Sequence, residues 1–269
     1  MSATAKGGPQ LAGRLVRRLL GLERAMRVEA ARRMLESMPV GETVEILAEL
    51  MRRRAEGDAK ALEALASVIE ALVHLGEGDT PSALYAEACR RNLEGVRRLL
   101  MRPAAAKTFD PNEERSIDRE MRAKTLGMRR QLARAADPVT MLRLTTDPDP
   151  GVIRNLLRHP RLTEADVVRM AARRPGRPEV LMEIFRSPKW GVRQRVRRAL
   201  ANNPYTPTEV ALKLVEILPL TEVRGLAADG SLHEEVQRAA RARLEHARRR
   251  RAVARAAAHL EDLEPEGDA

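Results

Sequence analysis

Residues 147–160, DPDPGVIRNLLRHP, and residues 187–204, SPKWGVRQRVRRALANNP, share one outline: a capping residue before proline, a valine-containing helical pattern, and a closing proline. The closing prolines, Pro160 and Pro204, lie 44 residues apart. A partial third copy begins at 230–236 with GSLHEEV. A fixed period of this size predicts stacked helical units, none of which can bury its apolar face alone.

The composition favours helices over strands. The chain of 269 residues contains 43% hydrophobic residues but only 2% aromatic ones. A core of Leu, Val, Ala, Ile and Met suits small, closely packed helices, whereas sandwiches and barrels favour aromatic and β-branched residues. We therefore predict an all-α fold: a right-handed α-solenoid of short helix pairs, with an N-terminal helical bundle.

Breaks in the hydrophobic pattern divide the chain. The predicted segments are a disordered start at 1–10, an N-terminal helical region at 11–102, a linker at 103–110, helical repeats ending in a basic helix at 111–260, and an acidic tail at 261–269. Asp110-Pro-Asn-Glu113 is typical of a helix start, and this helix is predicted to continue to about Lys124. The N-terminal helices form either a separate bundle or the first turns of the solenoid.

Capping residues punctuate the second half of the chain. They stand directly before proline at 137–138, 149–150, 187–188 and 206–207. Capping-box spacing, with a carboxylate three residues after Ser or Thr, occurs at Thr163, Thr206 and Ser231. The helices between them are short and gain little from propensity, so they need neighbours to pack against.

The phrase at 147–160, followed by LTEADVV at 162–168, resembles the units of bacterial HEAT-like and leucine-rich repeat variant proteins. In that family an Asp/Asn-Pro corner precedes a Val-Arg-containing helix, and a Thr-Pro-x-x-Val helix follows. The resemblance covers about residues 137–244 and implies a curved helical surface for binding. Some members carry a cysteine-ligated iron–sulfur cluster, which the single Cys89 cannot ligate.

Basic residues form two candidate binding surfaces in a chain whose net charge is +11. The first surrounds the only tryptophan: Lys189, Trp190, Arg193, Arg195, Arg197 and Arg198. The second is a run in the last helix: Arg248, Arg249, Arg250 and Arg251.

Each surface has more than one interpretation. The first is either a solvated helix face or a basic strip on which Trp190 stacks against or anchors a ligand. The second is a solvated terminal helix that caps the solenoid, a phosphate-binding element with salt-dependent, sequence-independent affinity, or an element that binds an acidic protein or a membrane. Aromatic residues for stacking on single-stranded nucleic acid are scarce.

These patterns predict a non-enzymatic scaffold for protein–protein interaction, with a protein partner of unknown identity. The alternative is a sequence-nonspecific nucleic-acid-binding protein, and a HEAT-like DNA glycosylase is a third, weaker hypothesis. No cofactor or metal site is predicted, because the five histidines are scattered and no phosphate loop or nucleophile elbow occurs. The lack of a signal peptide and of an 18-residue apolar run predicts a cytoplasmic bacterial protein without transmembrane segments or peripheral membrane contact.

Overall fold

The computed structural model describes residues 7–75, 78–110 and 118–261, and within these ranges it contains 16 helices and no β-strand. The all-α prediction is therefore confirmed. The helices are α1 (Gly7–Leu20), α2 (Arg24–Ser37), α3 (Val40–Ala55), α4 (Ala59–Leu75), α5 (Asp79–Arg90), α6 (Glu94–Leu100), α7 (Arg119–Arg122), α8 (Leu126–Ala135), α9 (Pro138–Leu144), α10 (Pro150–Leu156), α11 (Glu164–Ala172), α12 (Pro178–Arg186), α13 (Gln194–Ala201), α14 (Thr208–Ile217), α15 (Leu220–Ala228) and α16 (Glu234–Glu261).

The first helix begins earlier than the sequence pattern indicates. Gly7 to Gln10 form the first turn of α1, with Pro9 in that turn, where its missing N–H costs no helix hydrogen bond. The Arg53 guanidinium of α3 donates a hydrogen bond to the Pro9 carbonyl at 2.7 Å. The prediction of disorder is thus wrong for residues 7–10, while residues 1–6 lie outside the described part.

The predicted linker at 103–110 contains neither helix nor strand, but it packs on the C-terminal half. The Thr208 hydroxyl donates to the Ala104 carbonyl at 2.9 Å, and the Arg177 guanidinium lies 4.8 Å from the centre of the Phe109 ring. Most of the helix start predicted at 110–113, and most of the acidic tail at 261–269, lie outside the described residues. In the described part of the helix predicted to continue to about Lys124, only Arg119–Arg122 are helical.

The 44-residue sequence period reappears in the helix boundaries. α10 and α13 begin 44 residues apart, and so do α11 and α14. Helices two apart in the chain pack together: α8 with α10, α10 with α12, α11 with α13, and α14 with α16. In each of these pairs, a helix packs against one that lies two positions away in the chain.

Aspartate caps and one capping box form as predicted. Asp137 accepts hydrogen bonds from the backbone N–H groups at 139 and 140, and Asp149 accepts one from Val152 N at 2.9 Å. Thr163 and Asp166 form a reciprocal capping box at the start of α11.

The other predicted caps are wrong. The Thr206 hydroxyl is buried and donates to the Leu200 carbonyl at 2.7 Å, because the preceding helix ends beside it. The Ser231 hydroxyl is buried without a hydrogen-bond partner among the described residues. Ser187 precedes a turn, since α13 begins only at Gln194.

Two buried polar side chains occupy equivalent positions in successive repeats, directly before the closing prolines. His159 donates from Nε2 to the Ala136 carbonyl at 3.1 Å and accepts at Nδ1 from the residue 161 N–H. Asn203 donates from Nδ2 to the Ala171 and Arg173 carbonyls at 2.8 and 3.0 Å. Each side chain thereby connects its loop to a segment 23 to 32 residues earlier in the chain.

We expect Asn203→Ala to lower the free energy of unfolding by about 2–3 kcal/mol, because two buried carbonyls and the Tyr205 N–H would lose their partner. Urea denaturation of the variant and the wild type measures this loss. Gln194→Ala is the control, since the hydrogen bond that its side-chain amide donates to Glu222 is exposed. An Asn203→Ala variant as stable as this control would contradict the assigned role.

Helix α14 lies at the centre of the molecule. Every one of its residues except Glu209 is buried. The N-terminal helices α4 and α6 pack against it, as do α13 and α16 of the repeat region. Because α4 also contacts α12, the N-terminal helices are packed onto the repeats and do not form a separate bundle.

One of the buried residues of α14 is a lysine whose charge is only weakly compensated by neighbouring groups. Lys213 is 3% exposed, and its ammonium lies 3.7 Å from the Glu209 carboxylate and 3.3 Å from the Glu209 carbonyl. Burial lowers the pKa of Lys213 to about 8. The folded state therefore resists protonation of this group more strongly than the unfolded chain does.

We predict that Lys213→Met stabilises the protein at pH 7 by up to about 3 kcal/mol, because it removes the cost of a buried charge. The lowered pKa makes the wild type gain stability as pH rises from about 8 towards the ordinary lysine value, so the difference between wild type and variant should narrow over that range. Denaturation at several pH values measures this, with the exposed Lys60→Met as control. A difference in the free energy of unfolding between wild type and Lys213→Met that does not change with pH would contradict the prediction.

Candidate functional site

Trp190 is a packing residue in the turn between α12 and α13. Its side chain is 4% exposed, and the indole N–H donates to the Leu157 carbonyl at 2.7 Å. The Lys189 ammonium lies 4.3 Å from the ring centre and covers one face. The prediction of Trp190 as part of an accessible binding surface is therefore corrected: the ring connects two helical units.

Arg197 is also not part of the accessible surface that the sequence predicted. Its guanidinium forms an ion pair with Glu70 of α4 at 2.8 Å, and Nε donates to the Gly191 carbonyl at 2.9 Å. Only 11% of its side chain is exposed, and this burial lowers the pKa of Arg197. Arg197 thus joins the N-terminal helices to the repeats, because a buried guanidinium needs a carboxylate partner.

Gly191 makes this tight turn possible. A Cβ atom at this position would lie 1.9 Å from the Phe185 carbonyl oxygen, a distance that no side chain tolerates. The Gly191 N–H donates to the Ser187 carbonyl at 2.8 Å. The turn therefore requires glycine, and it places Lys189 and Trp190 side by side.

The remaining members of the first candidate surface are exposed. Lys189, Arg193, Arg195 and Arg198 reach solvent, and none forms an ion pair within the described ranges. They lie on the outer side of α13 and the turn before it, opposite the buried Val196 and Leu200. This part of the surface is available to an anionic partner.

Lys189 also lines a groove between α4, α10 and α12, which we call the basic groove. Its volume is about 720 Å³, and its lining residues are His74, Arg154, Leu157, Arg158, Glu183, Arg186, Ser187, Pro188 and Lys189. Arg154 is neutralised by Glu183 through two hydrogen bonds of 2.8 and 2.6 Å. Exposed Arg158 and Lys189 make no ion pair with described residues, so the groove is net positive.

Sequence patterns did not indicate most of this groove. His74 and Arg186 come from helices more than 100 residues apart, yet Arg186 donates to the Val73 carbonyl at 3.4 Å beside His74. Partial burial and the Arg186 charge lower the pKa of His74. No local signal in a single sequence reports such a pairing of distant helices.

The second candidate surface lies at the far end of α16. This helix of 28 residues packs on α14 and α15 through Val236, Ala239 and Ala240 near its start. Residues 251–256 are all exposed. Arg249 pairs with Glu245, whereas Arg248, Arg250 and Arg251 have no ion-pair partner in the described chain. No hydrogen bond or ion pair of the described residues joins this surface to the first one.

Within the described ranges, no group of His, Cys, Asp or Glu side chains is arranged to hold a metal ion. No helix there is long and apolar enough to cross a bilayer. Comparison with protein-family models, with curated proteins and with solved structures finds no match to this chain.

The burial of Trp190 predicts weak quenching of its fluorescence. We expect iodide and acrylamide to quench the native protein far less than the protein unfolded in urea, because 96% of the side chain is shielded from solvent. Trp190 is the only tryptophan, so the signal has one source. Equal quenching of native and unfolded protein would contradict the assigned packing role.

Proposed function

We propose that the protein is a non-enzymatic, HEAT-like helical repeat scaffold that binds a segment of another protein. The recurrence of helix starts at 44 residues, together with the packing of helices two apart, supports a right-handed α-solenoid as its architecture. Repeats of this kind offer extended surfaces without needing catalytic groups. The single cysteine cannot form a disulfide within one chain, which supports a reducing compartment such as the bacterial cytoplasm.

The observation that carries this proposal is the basic groove. Arg158 and Lys189 are exposed at an open cleft whose lining also includes Leu157 and Pro188. A cleft with apolar and cationic residues together suits a peptide that combines carboxylates with small apolar side chains. The partner is therefore an acidic protein segment.

Binding of short fluorescent Glu-rich peptides, measured by anisotropy, tests this proposal. We expect the wild type to bind them more tightly than matched Gln-rich peptides, and Arg158→Glu/Lys189→Glu to lose about tenfold or more in affinity through like-charge repulsion. Arg17→Glu/Arg18→Glu on α1 is the matched control, because it makes the same charge change at exposed positions. Equal loss in both double variants would show general charge attraction and overturn the proposal.

The end of α16 favours a second function, binding of nucleic acid. Arg248, Arg250 and Arg251 extend from the body on an exposed helix, where they can neutralise phosphates. Anisotropy with random single- and double-stranded oligonucleotides at about 50 and 200 mM salt tests it, a range over which phosphate-driven affinity changes steeply. Binding that weakens with salt and is lost when Arg248–Arg251 become Ala supports this function, and no binding at low salt refutes it.

A HEAT-like DNA glycosylase is the least favoured proposal. Such enzymes use accessible aromatic and acidic residues in a cleft. Here the only tryptophan is packed against Leu157 and covered by Lys189. Its ring therefore contributes to stability of the stack and not to contact with a base.

A further inference from the structure

A second cavity, separate from the basic groove, lies where the N-terminal helices meet the last repeat. Its volume is about 420 Å³, it is open to solvent, and residues of α3, α6, α14 and α16 line it. Four arginines from three of these helices line it: Arg52 and Arg54 of α3, Arg98 of α6 and Arg243 of α16. Arg52 pairs with Glu49 and Glu56. We call it the arginine cavity.

The cations of the arginine cavity exceed its anions. Arg54 pairs with Glu216, and both side chains are at least nine-tenths buried. Arg98 lies 3.3 Å from Glu94, a carboxylate that it shares with Arg97. Arg243 has no carboxylate partner within the described ranges and donates only to the Val215 carbonyl.

The guanidinium groups also have unmet hydrogen-bonding capacity. The Nε atoms of Arg54, Arg98 and Arg243 are all buried and have no hydrogen-bond partner among the described residues. Buried donors in folded proteins are normally paired. Burial and the neighbouring Arg54 charge lower the pKa of Arg243 to about 10, which shows how poorly its charge is compensated by protein groups.

The rest of the lining combines polar residues, among them Asn92, Glu94, Glu216 and His246, with an apolar wall. Met51, Ala55, Val96, Ala239 and Ala242 supply hydrocarbon surface around the arginines. The volume falls within the range of small-molecule sites, which are mostly apolar with a few fixed polar groups. Guanidinium groups match the geometry of phosphate and carboxylate oxygens and bind them with two parallel hydrogen bonds.

We propose that the arginine cavity binds a small organic anion, whose phosphate or carboxylate group contacts the guanidinium groups of Arg54, Arg98 and Arg243 and whose body contacts the apolar wall. Such a ligand joins α3 and α6 of the N-terminal region to α14 and α16. It therefore stabilises the junction between the two regions, since a ligand that binds only the folded state raises its stability. This site does not depend on the basic groove.

Calorimetric titration and thermal unfolding of the full chain test the proposal with four probes: phenyl phosphate, phenylacetate, inorganic phosphate and benzyl alcohol. We expect saturable binding of one phenyl phosphate or phenylacetate per chain, with a concentration-dependent rise in Tm. Inorganic phosphate, which lacks the apolar body, and benzyl alcohol, which lacks the charge, should bind more weakly. Binding of benzyl alcohol as tight as that of both anions would overturn the role of the arginines.

Variants locate the site. Arg243→Met is expected to weaken binding of the organic anion about tenfold or more through loss of a charge-assisted hydrogen bond, and Arg243→Lys should restore only part of it, because an ammonium lacks the guanidinium fork. Arg248→Met is the control: Arg248 is an exposed residue further along α16, and this variant should bind the organic anion as tightly as the wild type does.

Arg243→Met should also keep its fold, because it removes an uncompensated buried cation. If it nevertheless fails to fold, Arg98→Met supplies the same test from α6. No saturable binding at millimolar probe, or binding unchanged in the arginine variants, would overturn the proposal.

Discussion

The structure depends on the burial of one short helix on all sides. α14 contributes to the 44-residue repeat, but it also receives α4 and α6 from the N-terminal region. An ordinary helix of a repeat leaves one side to solvent, whereas nine of the ten residues of α14 are buried. The N-terminal helices therefore complete the core of the repeats, and the repeats cover the apolar faces of α4 and α6.

Enclosing a helix that carries Lys213 and Glu216 creates charges that must be compensated. Glu216 of α14 pairs with Arg54 of α3 across the junction. A second pair across the junction joins Glu70 of α4 to Arg197 of α13. A buried ion pair contributes little net stability, but separating its partners is strongly unfavourable. These pairs therefore fix how the two regions dock, while apolar burial supplies the driving force. At the same junction Arg243 has no ion-pair partner among the described residues, and this is the charge that the proposed anion would compensate.

Local sequence patterns predicted the helix period and several caps of the repeat region, but they did not predict the contacts between the repeat region and the N-terminal helices. The 44-residue period and the caps at Asp137, Asp149 and Thr163 depend on residues close in sequence, so they could be predicted. Trp190 looked accessible because its burial depends on the Leu157 carbonyl, 33 residues away. Arg54 and Glu216 are 162 residues apart, and no helical spacing in a single chain reports such a contact. The exposed arginines of α16 could be predicted because a charged helix segment with no apolar stripe has no face to bury, and this can be seen in the local sequence.

The central claim is that the N-terminal helices and the repeats form one cooperative unit around α14. The chain provides a reporter in each part: Trp190 in the repeats, and the exposed Cys89 in α5, which can carry an environment-sensitive fluorophore. Urea unfolding followed simultaneously through both signals is the most direct test. Coincident transitions with the same midpoint and steepness are the predicted result. A labelled N-terminal region that unfolds at a different urea concentration from Trp190 would contradict the account.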